Sequence, residues 1–153
     1  MSFRSRTIRY IAFRTRLLAA IALALGLAPM ATAVTTTTSW ATTGANPYTI
    51  AIDASGNVYT ANYTANTITK VAPDGTATAS WAATGAGPRA IAIDASGNVY
   101  TANYTANAIT KVAPDGTTTT SWAQTGARPL AIAIDASGNV YTANYNASTI
   151  TKV

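Results

Sequence analysis

The chain has no cysteine, no histidine and no glutamate, and its acidic residues are five aspartates: Asp53, Asp74, Asp94, Asp115 and Asp135. The missing cysteine excludes disulfides, thiolate metal sites and cysteine nucleophiles. The missing histidine removes the commonest general base near neutral pH and the commonest metal ligand. It also leaves Ser55, Ser96 and Ser137 without an imidazole to activate them, so a serine triad is excluded. Leucine is nearly absent beyond residue 30, where it occurs only at Leu130, which is too sparse for a leucine-rich solenoid. A length of 153 residues bounds the chain to one domain or to a piece of a larger one.

Charge is unevenly placed. Ten Lys/Arg against five Asp give a formal charge of +5, but Arg4, Arg6, Arg9, Arg14 and Arg16 all lie in the first sixteen residues. From residue 34 onward, Lys70, Arg89, Lys111, Arg128 and Lys152 balance the five aspartates. The basic start runs into LLAAIALALGLA at residues 17–28, then Pro29 and the small residues Ala31, Thr32 and Ala33. These are the three regions of a secretory signal peptide. The apolar run is shorter than the ~20 residues of a membrane-spanning helix. Residues 1–33 are therefore predicted to be a signal peptide. Residues 34–153 are expected to form a secreted or periplasmic protein, with no membrane association after cleavage. Its formal neutrality argues against a nucleic-acid partner.

The rest of the chain is one unit written three times. Trp40, Trp81 and Trp122 are spaced by 41, as are Asp53, Asp94 and Asp135, and the first two units differ at seven of 41 positions. A period of this size points to a solenoid, propeller or array. Within the first unit, residues 49–52, 58–63, 67–71 and 76–81 read as strands rich in β-branched and aromatic residues. They are separated by an Asp-x-Ser-Gly-Asn turn, a Thr-Ala-Asn turn and a Pro-Asp-Gly turn. Thr-rich, β-branched strands oppose helical repeats. A parallel β-helix is the competitor, and the hairpin-type turns favour antiparallel sheets over it. The fold class predicted is all-β, with three β-propeller blades of four antiparallel strands over residues 34–153.

Residues 35–39 repeat the fourth-strand sequence of residues 117–121, and the third unit stops after its third strand. The chain order therefore reads as a lone fourth strand, two full blades and a blade of three strands. The natural closure pairs the N-terminal strand with the last strand of the chain. Propellers typically have about four to eight blades, so three do not make a ring, and two copies would supply six. Self-association as a two-fold homodimer is expected, with residues 35–39 of one copy completing the last blade of the other.

The pattern Pro-x-x-Ile-Ala-Ile-Asp-x-x-Gly-Asn-Val-Tyr spans residues 47–59, 88–100 and 129–141. It is followed by Asn-x-Ile-x-Lys-Val and Pro-Asp-Gly in the first two units. It resembles the NHL-type repeat and is similar to the repeats of the streptogramin (virginiamycin B) lyase family. The resemblance covers essentially all of residues 34–153 and implies propeller blades in a six-bladed ring. In the lyase family a His commonly follows the blade's Pro and helps form a metal-assisted site. The matching positions here are Tyr48, Arg89 and Leu130. The family's activity is therefore not expected to carry over, and no catalytic residue is assigned.

The loop ahead of each first strand is where the copies differ: Asn46-Pro47-Tyr48, Gly87-Pro88-Arg89 and Arg128-Pro129-Leu130. Binding residues concentrate on such loops. Tyr48, Arg89, Arg128, Leu130 and Asn46 are the candidate contact residues. Tyr59/Tyr63, Tyr100/Tyr104 and Tyr141/Tyr145 are spaced by four, which in a continuous strand puts each pair on one face. They are read as inter-blade packing, with carbohydrate stacking as the functional alternative. Asp53, Asp94 and Asp135 open turns and are explained by side-chain capping of those turns. A ring of such carboxylates holding a hard cation such as Ca²⁺ is the weaker alternative, and no metal site or cofactor is assigned. Asn62-Tyr63-Thr64, Asn103-Tyr104-Thr105 and Asn146-Ala147-Ser148 fit the N-glycosylation pattern. The function expected is a secreted, non-enzymatic module for a protein or carbohydrate ligand. The alternative is a metal-assisted lyase or hydrolase of the propeller type.

Overall fold

The computed structural model describes residues 34–153, so the predicted signal peptide at 1–33 lies outside the described residues. The repeats fall in one compact unit, Thr38–Val153. The first repeat forms β1 (Pro47–Ile52), β2 (Val58–Asn62), β3 (Thr67–Val71) and β4 (Ala77–Ala83). The second forms β5 (Pro88–Ile93), β6 (Val99–Asn103), β7 (Ala108–Val112) and β8 (Thr118–Gln124). The third forms β9 (Pro129–Ile134), β10 (Val140–Asn144) and β11 (Thr149–Lys152). Each repeat is a separate antiparallel meander, with orders β1-β2-β3-β4, β5-β6-β7-β8 and β11-β10-β9. The all-β blade architecture is the one predicted.

The turns form for local reasons. Asp53 Oδ1 accepts from the N–H groups of Ser55 and Asn57, both at 2.9 Å, and Gly56 adopts φ 82° to close the reversal. In the Pro-Asp-Gly turn, Gly75 adopts φ 89° and the Ala72 N–H donates to Thr76 O at 2.9 Å. The same geometry recurs one repeat later at Gly97 and Gly116.

The core lies between sheets rather than within one. Tyr59, Ala61, Ile68 and Ala82 of the first repeat pack against Ile91, Val99 and Val112 of the second. Tyr100 and Ile109 of the second pack against Val140 of the third, with Trp122, Ile132 and Ile134 at the margin. Position in the array therefore sets burial. Ile68 and Ile109 are fully buried, whereas the equivalent Ile150 is 74% exposed. Ile91 is 8% exposed and its equivalent Ile50 is 63% exposed. The two outer faces are apolar surfaces that the middle sheet, with identical residues, keeps covered.

A buried polar staple holds each sheet to the loop that enters it. In the middle repeat Asn103 Nδ2 donates to Thr110 Oγ1 at 2.8 Å, and Thr101 Oγ1 donates to Asn103 Oδ1 at 2.9 Å. Thr110 Oγ1 accepts from the Gly85 N–H at 3.0 Å and donates to Thr120 O at 2.9 Å. A Cβ at Gly85 would stand 2.7 Å from Asn103 Nδ2, so the loop approaches too closely for any side chain. Asn62 with Gly44 and Asn144 with Gly126 repeat the device.

The expected N-terminal strand is not formed. Residues 34–37 have no regular secondary structure, and residues 38–40 are a turn and bend. The fourth strands β4 and β8 exist by pairing with β3 and β7, and among the described residues no strand pairs with residues 35–39 to provide that ladder. At the other end of the array β11 pairs with β10 alone, so the single chain does not close in the way the terminal sequences suggest. Trp40 nevertheless lies over the first Pro-Asp-Gly turn. A Cβ at Gly75 would meet its Nε1 at 3.2 Å, as one at Gly116 would meet Trp81 Nε1 at 3.4 Å.

Candidate functional site

Antiparallel order sorts the chain's charges. The turns joining β1 to β2 and β3 to β4 lie at one end of a sheet and carry every aspartate of the first repeat. The same holds for Asp94, Asp115 and Asp135 in the later repeats. The opposite end carries the β2–β3 turns and the loops that enter β1, β5 and β9. No carboxylate is found there.

At that opposite end each first strand contains a β-bulge. Pro47 pairs with Asn62 and Thr49 with Ala61, leaving Tyr48 as the extra residue. Arg89 is the extra residue between Pro88 and Ala90, and Leu130 between Pro129 and Ala131. A bulge takes a residue out of the alternating pleat and re-aims its side chain. These three positions are among those that differ between the copies.

The re-aimed side chains meet. The Arg89 guanidinium lies 5.3 Å from the Tyr48 ring and 4.9 Å from the Tyr104 ring. The Arg128 guanidinium lies 5.3 Å from the same Tyr104 ring. Tyr48 in turn lies 5.0 Å from Tyr63. The result is a continuous ladder of Tyr63, Tyr48, Arg89, Tyr104 and Arg128 along one rim, crossing all three repeats. Tyr48 remains 54% exposed. Tyr145, the third-repeat equivalent of Tyr104, is 66% exposed at the far side.

Arg128 sits in the left-handed region at φ 55°, a position held by Asn46 (φ 54°) and Gly87 (φ 66°) in the earlier copies. Asn and Gly adopt that conformation readily, whereas a long side chain there costs on the order of 1–2 kcal/mol. The loop is tied across the joint between sheets, because Arg128 N–H donates to Asn107 Oδ1 at 2.7 Å and Gly87 N–H to Asn66 Oδ1 at 2.8 Å.

Three of the five predicted contact residues, Tyr48, Arg89 and Arg128, are thus brought together. Asn46 is at the same end, but its Nδ2 is engaged with Thr64 Oγ1 at 2.7 Å. Leu130 lies off the ladder, in a concavity of about 610 Å³ with Tyr145, Ser148 and Ile150 on the outer face of the third sheet. Tyr63 and Tyr104, read from the sequence as inter-blade packing with Tyr59 and Tyr100, lie at the joints with the next repeat: a Cβ on Gly87 would stand 3.1 Å from the Tyr63 ring, and Arg128 lies 5.3 Å from the Tyr104 ring. The strands stop at Asn62 and Asn103, and the Tyr63 N–H leaves the ladder to donate to Asn46 O at 2.8 Å. Tyr59 and Tyr100 remain in the inter-sheet packing, edge-on to Trp81 and Trp122 at 5.2 and 5.3 Å.

Solved structures similar to this chain include propeller lyases. Virginiamycin B lyase from Staphylococcus aureus superposes with a TM-score of 0.61 at 22% identity, over 71% of this chain and 38% of that one. A streptogramin B lyase superposes with a TM-score of 0.60 at 18% identity, over 68% and 36%. The fold is that of β-propeller blades. The extracellular domain of a putative hybrid two-component system from Bacteroides thetaiotaomicron is also similar, at 17% identity and a TM-score of 0.51, over 72% of this chain and 19% of that one. No family model and no curated protein matches the sequence. The chain spans about two fifths of the length of the lyases it resembles.

The Asp-bearing end of the blades holds a cavity of about 390 Å³ between the first two repeats, lined by Asp53, Tyr59, Lys70 and Asp94 among others. Its carboxylates are consumed locally. Asp94 Oδ1 accepts from Ser96 and Asn98 N–H groups, and Oδ2 accepts from Asn98 Nδ2 at 2.8 Å and the Tyr100 hydroxyl at 3.0 Å. Burial acts to raise the Asp53 and Asp94 carboxyls, but these donors outweigh it and leave both lowered. Asp135, with the Asn139 amide as its strongest donor, is lowered to about 2. Desolvation, and then the Asp partner, push the Tyr59 and Tyr100 hydroxyls up to about 12. Among the described residues no three His, Cys, Asp or Glu side chains gather at one point. Each of these carboxylates is thus engaged by its own turn.

Proposed function

We propose that the chain is a secreted, non-enzymatic binding module built of NHL-type blades, with the rim of Tyr48, Arg89, Tyr104 and Arg128 as its contact surface. One observation carries the reading: Tyr48, Arg89 and Arg128, which vary among near-identical copies, converge on one ladder that is exposed at Tyr48 and Arg128 and half-buried between them. Drift in unrelated loops has no reason to place a guanidinium between two rings. The test is a panel of immobilised glycans and peptides probed with the wild type, Arg89→Ala and Asp74→Asn. Binding lost in the rim variant and kept in the variant at the opposite end supports the reading. Binding lost in Asp74→Asn instead sinks it. The lyase or hydrolase alternative requires turnover of a streptogramin or lactone by the wild type in the presence of a divalent cation such as Ca²⁺. The absence of His and Glu from the sequence and the engaged Asp carboxylates speak against it.

A second proposal concerns the partner. The exposed Ile50 and Ile52 on the first sheet, at 63% and 64%, match the face that Ile91 presents to the first repeat. The exposed Ile150 on the third sheet matches the face that Ile109 presents to Val140. Each outer surface is thus complementary to the other, and a second copy of this chain is the occupant whose chemistry is already present. Two copies supply six blades. Light scattering on the processed protein decides: twice the protomer mass, unchanged on dilution, is expected, and a stable monomer overturns the proposal.

A further inference from the structure

We infer that the rim takes an acidic glycan, a sugar polymer carrying carboxylates. Arg89 and Arg128 grip the carboxylates, and the ring of Tyr48 beside them forms a platform for a sugar. The inference rests on the rim being the contact surface and names what it contacts.

The chemistry follows from how the guanidiniums are held. Arg89 lies between two Tyr rings, 5.3 and 4.9 Å from their centroids, and Arg128 lies against the second of them. Neither side chain donates a hydrogen bond to an acceptor among the described residues. A guanidinium held against rings by cation–π attraction spends no N–H donor on a hydrogen bond to them, so its donors are left to receive a carboxylate, bidentately where the approach allows. Nothing at this end competes for them, because all five carboxylates of the chain lie in the turns at the other end. Lys70, Lys111 and Lys152 do not contribute here. Each sits against a tyrosine near the Asp turns, 5.5 Å from the rings of Tyr59, Tyr100 and Tyr141 respectively.

Arg128 adds an independent reason. Its backbone conformation suits the Gly and Asn of the other copies, so the fold gains nothing from Arg at that position. A strained residue in a copied unit points to a use for its side chain.

The ladder also selects among anions. Arg89 and Arg128 share the Tyr104 ring, so the two charges stand side by side on one ladder rather than converging on one point. A single carboxylate uses one of them, whereas a polymer with repeated carboxylates uses both. Tyr48, on the ladder itself, is an exposed aromatic ring at 54%. The electron-rich face of a ring attracts the C–H edges of a sugar. A nucleic acid, with a phosphate at every nucleotide, is served by many cations along its path, and this end of the molecule offers two.

The test is calorimetric titration of the processed protein with unesterified polygalacturonate oligomers, with the same oligomers fully methyl-esterified, and with oligo(dT). The acid form is expected to bind, and capping its carboxyls to weaken binding at least tenfold. Arg128→Gly is expected to weaken the acid form severalfold while the melting temperature holds or rises, since Gly takes this φ without strain. That combination separates lost contact from lost folding. Equal binding of acid and ester overturns the acidic-ligand inference and leaves the rim standing as a carbohydrate surface. Binding of oligo(dT) in place of the sugars overturns it in favour of nucleic acid. Acid-form binding that survives both Arg89→Ala and Arg128→Gly overturns the inference together with the rim itself, and no binding of the acid form overturns the inference.

Discussion

Asn103 makes one side chain hold three pieces of chain. Its amide joins β6 to β7 through Thr110, and through Thr110 it holds the loop at Gly85. Asn103→Ala leaves buried donors and acceptors without partners, each costing ~1–3 kcal/mol. A fall in the denaturant midpoint at unchanged slope is the expected result. Gly85→Ala is expected to destabilise similarly, because its Cβ would stand 2.7 Å from Asn103 Nδ2 and no flexible end is free to yield. Asp94→Asn tests a different device. An amide nitrogen in place of Oδ2 cannot accept from Asn98 and Tyr100. After allowance for solvent exposure the loss is on the order of 1 kcal/mol, read as a lower melting temperature. The role of Asp94 was legible in the Asp-x-Ser-Gly-Asn string, because the bonds it makes are local. The role of Asn103 was not, because Thr110 and Gly85 reach it only through pairing of distant strands.

At the level of the element, the bulge decides what each first strand displays. Four strands per unit and their turns were readable from β-branched runs and Gly-bearing reversals. The bulge was not, since it appears only once Pro47 is paired with Asn62. The strand also ends one residue earlier than its apolar pattern does, at Asn62, so Tyr63 leaves the ladder and its N–H donates to Asn46 O. Strand position also sets what a truncation costs. Ile109→Ala is expected to lose ~2–5 kcal/mol. Ile150→Ala, at 74% exposure in the single chain, is expected to cost under ~0.5 kcal/mol. If a second copy covers that face, Ile150→Ala costs far more while the wild type is dimeric, and its effect falls back to the single-chain value once dilution has dissociated both proteins. Parallel melts of the two variants at two concentrations distinguish the cases.

For the whole molecule, the composition predicts how stability varies with pH. No His, Cys or Glu titrates in the middle of the scale. The aspartates are lowered on folding, so their contribution is present above the unfolded value near 4. It is lost as pH falls, with Asp135 reaching about 2 before it protonates. Tyr59 and Tyr100 are raised to about 12. Their contribution is complete below about 10 and lost as pH climbs through the folded value. Denaturation midpoints are therefore expected to be level from about pH 5 to pH 9, with an acid limb between about 4 and 2 and a basic limb between about 10 and 12. A midpoint that moves by more than a small amount near pH 7 contradicts this reading.

The joints between sheets are themselves copied. Thr84 N–H donates to Asn66 O, and Thr125 N–H donates to Asn107 O. Gly87 and Arg128 use the side chains of the same two asparagines, and Trp40 and Trp81 cover the Pro-Asp-Gly turn that follows each. Every part of a joint belongs to the 41-residue cassette, so unequal exchange between copies can remove or add a cassette without orphaning a partner. The cassettes are not equally good donors of the next joint. Ser148 stands, at φ 52°, where Asn66 and Asn107 stand, and its shorter side chain carries no amide oxygen to receive the following loop. A lineage that lengthens this array would thus gain a firmer seam by duplicating the middle cassette than by extending from the last.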